Sequence, residues 1–372
     1  MYFTNIFKNI GWLFGLLLAS SVSIIASYSA EWIGEDFLGF NRSPISDIMM
    51  AIVIGMIIAN TIPLKKTIQS GLKFCASTIL RVGIMFLGIR LSLFGAGQFT
   101  LVALPFVIIA ITIGLITVRM LGRSMKLSPQ LTGLIAVGTS ICGATAIVAT
   151  APLIKAKEAE VSYAIACITI FGLAAMFSYP FLAHYLFSDQ PVMAGLFLGT
   201  SIHETAQVAG AGLMYQSQYD APIALDIATV TKLVRNLCMI AVIPLVGILY
   251  GQQNQLTKSK NKWSWLAMIP WFIVGFAIMS AIRTIGDLSE TPFGLINLNQ
   301  WNELVLMIKS LAEKLLLIAM SAVGLTSFFR GMKDIGIRPF MLGLFAAILI
   351  GFICLISIAF FADDLLNFFE LV

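Results

Sequence analysis

Long apolar runs separated by short polar loops dominate the chain. A transmembrane helix needs about 20 consecutive, mostly apolar residues. Nine segments meet this requirement: 10–29, 46–64, 71–94, 100–121, 161–187, 223–250, 263–284, 302–329 and 337–362. Two further apolar segments, 129–154 and 191–215, are each interrupted by Gly-Thr-Ser-Ile and are rich in small residues. The pattern predicts an all-α polytopic membrane protein with nine transmembrane helices and two interrupted or re-entrant segments.

The composition excludes several classes of protein. The chain has 372 residues, of which 59% are hydrophobic and 11% charged, and its mean hydropathy is +0.95. An ordinary soluble domain is about 45–50% apolar and about 25% charged. A soluble enzyme, a disordered protein and a nucleic-acid-binding domain are therefore disfavoured. We predict one integral membrane domain over residues 1–372, embedded in a lipid bilayer.

The loop charges predict the orientation of the helices. The net charge of +5 comes mainly from basic residues in short loops: Lys8, Lys65, Lys66, Arg119, Arg123, Lys126, Lys258, Lys260, Lys262, Arg330, Lys333 and Arg338. Acidic residues dominate the alternate loops and the C-terminus: Glu31, Glu35, Asp36, Asp287, Glu290, Asp363, Asp364 and Glu370. Because basic loops stay in the cytoplasm, the N-terminus is predicted to be cytoplasmic and the C-terminus to lie outside.

An internal repeat links the two interrupted segments. Aligning 138–149 with 199–210 superimposes the two Gly-Thr-Ser-Ile tetrapeptides, and 129–187 and 191–250 then form two similar units. If the interrupted segments are re-entrant hairpins, each unit crosses the membrane once and the two units have opposite orientations. We favour hairpins over full spans because they keep the basic loop at 155–160 inside. Inverted repeats with broken helices are typical of secondary transporters.

The repeated tetrapeptide suggests an anion site. Gly138 and Gly199 would allow a break in each helix. The hydroxyl residues that follow are good N-caps for new half-helices: Thr139, Ser140, Thr200 and Ser201. Two half-helix N-termini brought together would bind an oxyanion through free N–H groups. The alternative is tight helix packing through small residues.

Two cations in a following span extend this hypothesis. Lys232 and Arg235 lie three residues apart, on one face of a helix. They would neutralise a substrate anion, or else form a structural network with Glu204 and Asp226. The predicted substrate contacts also include Cys142 in the first segment and Gln207 in the second.

Three titratable groups are candidates for proton coupling, because ionisable residues inside spans usually mark function. They are His203, Glu204 and Asp226. Glu204 and His203 are the best candidates, since imidazole titrates near neutral pH. His203 is also predicted as a substrate contact, and simple packing is the alternative for it.

Several motifs together resemble the YeiH-type family of bacterial membrane proteins, which is associated with sulfate export. They are SICGATAI at 140–147, GTSIHETAQVA at 199–209, KLVR at 232–235 and the stretch LRVGI to GIRL within 80–91. The resemblance implies a transporter of the cytoplasmic membrane, distantly related to cation–proton antiporter and bile-acid-symporter folds. A homodimer is inferred only by analogy with those folds.

The sequence thus predicts a secondary-active transporter that exports sulfate or a related small sulfur oxyanion, bound between the two Gly-Thr-Ser breaks. The alternative is a cation/proton antiporter using Glu204 and Asp226. An intramembrane enzyme is disfavoured because no nucleophile, base and orienting group are apparent together. With two histidines and no CxxC spacing among five cysteines, neither a metal nor another cofactor is expected.

Overall fold

A computed structural model describes residues 10–39, 43, 45–250, 270–289, 291–327 and 336–370. The first seven helices are α1 (Ile10–Glu31), α2 (Asp47–Thr61), α3 (Lys66–Arg90), α4 (Leu93–Ser124), α5 (Pro129–Cys142), α6 (Ala144–Thr150) and α7 (Glu158–Phe187). The other seven are α8 (Pro191–Ser201), α9 (Thr205–Tyr219), α10 (Pro222–Leu237), α11 (Met239–Tyr250), α12 (Trp271–Asp287), α13 (Leu298–Leu325) and α14 (Ile337–Phe368).

The predicted all-α polytopic membrane fold is confirmed. Within the described residues, six stretches are long and apolar enough to cross a membrane, and α2, α5 and α8 are shorter apolar helices. Parts of two predicted spans, 263–269 and 328–329, lie outside the described residues. So do several of the loop charges used to predict orientation: Lys8, Lys258, Lys260, Lys262, Glu290, Arg330 and Lys333.

The chain divides into two compact units. Unit 1 contains the described residues within 1–94, 213–222 and 272–331. In it, α13 packs against α2 and α3, and α1 packs against the same two helices. Gly55 of α2 faces the backbone of Leu325, and Gly324 of α13 faces that of Ile52, so these two helices cross at close range.

Unit 2 contains the described residues within 95–212, 223–271 and 332–372. Here α8 packs against α7 and α14, α5 packs against α7, and α6 packs against α11. One apolar cluster of this unit includes Leu134, Ile135, Ile168 and Leu342, contributed by α5, α7 and α14. This packing fixes the ends of α5 and α8, where the candidate site lies.

Candidate functional site

The first interruption lies at Gly143, between α5 and α6. Gly143 has φ +63° and ψ −133°, a backbone conformation that is essentially restricted to glycine. The segment Gly138–Cys142 before it is still helical, as a π-turn at the end of α5. The chain therefore stays helical through the first Gly-Thr-Ser and breaks five residues after Gly138.

The second interruption covers Ile202, His203 and Glu204, between α8 and α9. Helix α8 runs through Gly199 to Ser201, and Ile202 then adopts an extended conformation with φ −81° and ψ 138°. Here the break follows the Gly-Thr-Ser directly. Both interrupted segments were thus predicted, but their breaks are not at Gly138 and Gly199.

The predicted N-caps are wrong. The hydroxyl of Thr139 donates to the Ile135 carbonyl at 2.8 Å, and that of Thr200 donates to the Leu196 carbonyl at 2.7 Å. The Ser201 hydroxyl likewise donates to the Phe197 carbonyl at 2.5 Å. These hydroxyls bond back to the preceding turn of their own helix, as Ser and Thr do within helices. The Gly-Thr-Ser residues therefore form the carbonyl ends of α5 and α8, and do not begin new half-helices.

The two glycines serve packing instead. Gly199 lies against Ala228 and Thr231 of α10, and Gly138 lies against Ile147 and Ile168. A larger side chain at either position would meet these neighbours. At Gly138 and Gly199 the structure therefore shows tight helix packing, which was the alternative to a helix break at these glycines.

Arg235 of α10 binds the ends of both α5 and α8. Its Nε donates to the Ser140 carbonyl at 2.9 Å, and its Nη1 donates to the carbonyls of Thr200 at 2.6 Å and Ile202 at 3.0 Å. Its Nη2 donates to the Thr139 carbonyl. The last carbonyl groups of a helix have no partner within it, and a cation at this negative end is stabilising. One guanidinium thus satisfies carbonyls from both interrupted segments.

Lys232, one turn earlier in α10, acts in the same way. Its ammonium donates to the carbonyls of Ile141 at 3.2 Å and Ile202 at 2.9 Å, and also to that of His203. An ammonium has three N–H donors, so these carbonyls use all of them. Lys232 and Arg235 are both completely buried. Their direct contacts are with backbone carbonyls, and their role as countercharge for a substrate stays a prediction.

Side chains of the second interruption reach the first. The Nδ1 atom of His203 lies 3.2 Å from the Thr139 carbonyl oxygen, and Oε1 of Glu204 accepts from the Ala144 N–H at 3.3 Å. The Glu204 side chain also contacts Gly143 and is partly exposed, whereas His203 is buried. The structure therefore brings His203 and Glu204 together with the first interruption.

Four of the buried side-chain atoms without a hydrogen-bond partner in the described structure surround these interruptions. They are Ser140 Oγ, His203 Nε2, Thr231 Oγ1 and Asn236 Oδ1. Burying a polar atom without a partner costs about 1–3 kcal/mol, so each such atom in a native protein calls for an explanation, such as a bound water, an ion or a binding role. Thr231 and Asn236 were not predicted from sequence. The one sequence signal for Thr231 and Asn236 as candidate site residues is that they adjoin Lys232 and Arg235.

The remaining predicted residues have other surroundings. Gln207 accepts from the Glu204 N–H at 3.3 Å and donates to the Thr169 carbonyl at 3.2 Å, which ties the start of α9 to α7. Cys142 is buried with its Sγ 3.0 Å from Sδ of Met239. Asp226 is buried in α10. It lies six residues before Lys232, or about 9 Å along the helix axis.

A second polar cluster lies in unit 1, outside the predicted site residues. Arg90, at the end of α3, forms an ion pair with Glu313 of α13 at 2.9 Å. Its Nη2 also donates to Oε1 of Gln216 at 2.9 Å, and Nε2 of Gln216 donates to Glu313 at 2.9 Å. Glu313 and Gln216 line a cavity of about 490 Å³, together with Asp47, Asp220 and Lys314. Charged residues far apart in sequence thus meet within this unit.

The helices, the interrupted segments and the buried charges define an integral membrane protein of the polytopic α-helical class. The chain belongs to the family described as Conserved hypothetical protein 698, whose model matches residues 14–343. This is the family that the sequence motifs resemble, so the resemblance is confirmed.

The relatives are bacterial membrane proteins. A UPF0324 membrane protein of Oceanobacillus iheyensis is 37% identical over 318 residues, covering 83% of this chain and 87% of the relative. Another, of Bacillus anthracis, is 33% identical over 349 residues, covering 94% and 93%. A third, of Haemophilus influenzae, is 32% identical over 336 residues, covering 89% and 91%. No solved structure matches the chain.

Proposed function

We propose that this protein is a secondary-active transporter of the bacterial cytoplasmic membrane that exports sulfate or a related small sulfur oxyanion. The observation that carries the proposal is the junction of two interrupted helices around Lys232 and Arg235. Irregular backbone at membrane depth is tolerated where it is buried in protein or lines a wet cavity. Interrupted helices of this kind form the ion and substrate sites of secondary transporters.

The charges at the junction support an anion as substrate. Lys232 and Arg235 are two fully buried cations there. The carboxylate of Glu204 accepts a hydrogen bond from the Ala144 N–H at the first interruption. The Ser140 and Thr231 hydroxyls have no partner in the described structure, and each can donate a hydrogen bond to an oxyanion. Because the three Lys232 N–H groups donate to carbonyls, this ammonium would attract the substrate electrostatically, without a direct hydrogen bond.

The test is flux through purified protein in liposomes. We expect labelled sulfite or sulfate to exchange across the membrane when the protein is present, and Ser140→Ala to reduce that exchange. Ser178→Ala is the matched control, because the Ser178 hydroxyl is exposed on α7 and bonds only to its own helix, at 2.8 Å to the Ala174 carbonyl. Wild-type liposomes that exchange neither anion faster than protein-free liposomes would refute the proposal.

One observation favours cation/proton antiport as the second candidate. Glu204 is a partly exposed carboxylate, and the Lys232 ammonium at the same junction already has three carbonyl partners. A carboxylate beside interrupted helices can bind a cation or a proton. In the same liposomes, a sodium gradient that drives a pH change without any oxyanion, and that Glu204→Gln abolishes, would establish this alternative.

A further inference from the structure

The orientation of the His203 ring determines which of its nitrogens carries a proton. Nδ1 lies 3.2 Å from the Thr139 carbonyl oxygen. A carbonyl oxygen only accepts hydrogen bonds, so Nδ1 must be the donor. In a neutral imidazole, the other nitrogen, Nε2, then has a lone pair and acts as an acceptor. A second ring proton would place a third cation beside Lys232 and Arg235.

This acceptor is buried and has no donor within the described residues. His203 is 1% exposed, and its Nε2 has no hydrogen-bond partner there. The neighbouring cations do not supply one, since the Lys232 ammonium donates to the carbonyls of Ile141, Ile202 and His203. Arg235 donates to the same Thr139 carbonyl that His203 contacts. The junction therefore presents a fixed acceptor to whatever binds beside it.

We propose that the His203 Nε2 atom selects an oxyanion that carries its own O–H group, which donates to this nitrogen. Hydrogen sulfite, hydrogen carbonate and dihydrogen phosphate belong to this class. Fully ionised sulfate has only acceptor oxygens, so its oxygen lone pair would repel the lone pair of Nε2. The inference rests on the proposed transport of an oxyanion and narrows its substrate class.

A site that hydrogen-bonds a substrate O–H rejects analogues without it, because its own polar group is then left unpaired. The selectivity is therefore expected to follow the presence of the O–H group more than size or charge. Methanesulfonate provides the decisive comparison, since it is a sulfur-containing monoanion of similar size to hydrogen sulfite but has no O–H group.

The experiment measures exchange of labelled sulfite into liposomes containing the wild-type protein, at a mildly acidic pH where hydrogen sulfite predominates. We expect unlabelled hydrogen sulfite and hydrogen carbonate to compete, and methanesulfonate and sulfate to compete at least tenfold less well. Equal competition by methanesulfonate or sulfate would overturn this inference while leaving oxyanion transport intact. Absence of any oxyanion exchange would overturn the proposed function itself, and this inference with it.

A variant tests the residue directly. His203→Asn retains an amide N–H near the position of Nδ1, which can still donate to the Thr139 carbonyl, but removes the Nε2 acceptor. We expect hydrogen sulfite exchange to fall about tenfold, the equivalent of one net hydrogen bond, and its advantage over methanesulfonate to disappear. His184→Asn, at the other histidine of the chain, is the control. An unchanged preference in folded His203→Asn would refute the assignment, and the wild-type competition decides the question if that variant does not fold.

Discussion

Glu204 packs against Gly143, the residue at the corresponding position of the other repeat unit when 138–149 is aligned with 199–210. Its Oε1 accepts from the next backbone N–H, that of Ala144, at 3.3 Å. One unit therefore supplies a carboxylate where the other has no side chain. The two aligned segments share Gly-Thr-Ser-Ile but contribute different groups at the junction.

Gly143→Ala is expected to destabilise the protein. The φ of +63° is unfavourable for alanine, and its Cβ would overlap the Glu204 side chain. Residues held in such sparsely populated backbone regions cost about 1–3 kcal/mol. Thermal unfolding in detergent, followed by loss of the monodisperse peak, should show a lower midpoint.

Gly97→Ala is the matched control for that substitution. Gly97 lies within α4, and an added Cβ would have no neighbour within 4 Å. Alanine within a helix is favoured over glycine by about 1 kcal/mol, so the midpoint should stay the same or rise. A Gly143→Ala variant as stable as Gly97→Ala would contradict the strained conformation.

Replacing Lys232 by Met should severely reduce the yield of folded protein. The carbonyls of Ile141, Ile202 and His203 would lose a donor, and each buried group left without a partner costs about 1–3 kcal/mol. The measurement is the folded fraction after membrane extraction. Arg283→Ala serves as the comparison, since it removes a surface cation paired with Asp287 in the same helix, worth under about 1 kcal/mol. Equal yields from the two variants would show that the carbonyl contacts do not stabilise the junction.

Arg235→Lys should also destabilise the protein, although it conserves the charge. The guanidinium donates to four carbonyls, of Thr139, Ser140, Thr200 and Ile202. An ammonium has three donors and lacks the planar fork, so the substitution cannot reproduce this set. The thermal midpoint is expected to fall by several degrees, and an unchanged midpoint would argue against the contacts.

Arg90 and Glu313 are expected to be energetically coupled. Replacing either by Ala leaves a partly buried charge without its partner, whereas replacing both removes the pair. The double-mutant cycle should give an interaction of about 0.5–3 kcal/mol. Strictly additive effects of Arg90→Ala and Glu313→Ala on unfolding would show that the ion pair contributes nothing.

The predicted orientation can be tested by labelling exposed cysteines from either side of the membrane. Lys65→Cys should react only from the cytoplasm and Leu288→Cys only from outside, and both residues are exposed. Four of the five native cysteines are buried, so the background should be low. The reverse pattern of labelling would invert the topology.

The spans and interrupted segments could be predicted because length, apolarity and small residues are properties of the sequence itself. The exact breaks could not. Glycine followed by Thr-Ser suggested an N-cap, yet these hydroxyls bond equally well to the preceding turn. The break at Gly143 depends on a φ of +63°. Glycine adopts positive and negative φ with similar ease, so its presence in the sequence does not predict this value.

The contacts of the two buried cations could not be predicted for a different reason. Lys232 and Arg235 were expected to pair with a side chain or a substrate, because residue types indicate side-chain partners and not which backbone groups are available. Their actual acceptors are backbone carbonyls, which every residue possesses and which helix ends leave available. The Arg90 cluster could not be predicted either, because Gln216 and Glu313 are brought to it by packing between distant segments.

One helix, α10, holds both carbonyl ends, since Lys232 and Arg235 project from consecutive turns of it. If α10 slid by one turn, about 5.4 Å, every carbonyl that accepts from these two side chains would lose its donor together. The two ends and α10 must therefore move as one rigid piece or separate in a single cooperative event. A conformational cycle that keeps this junction intact therefore has its flexible joints elsewhere in the chain.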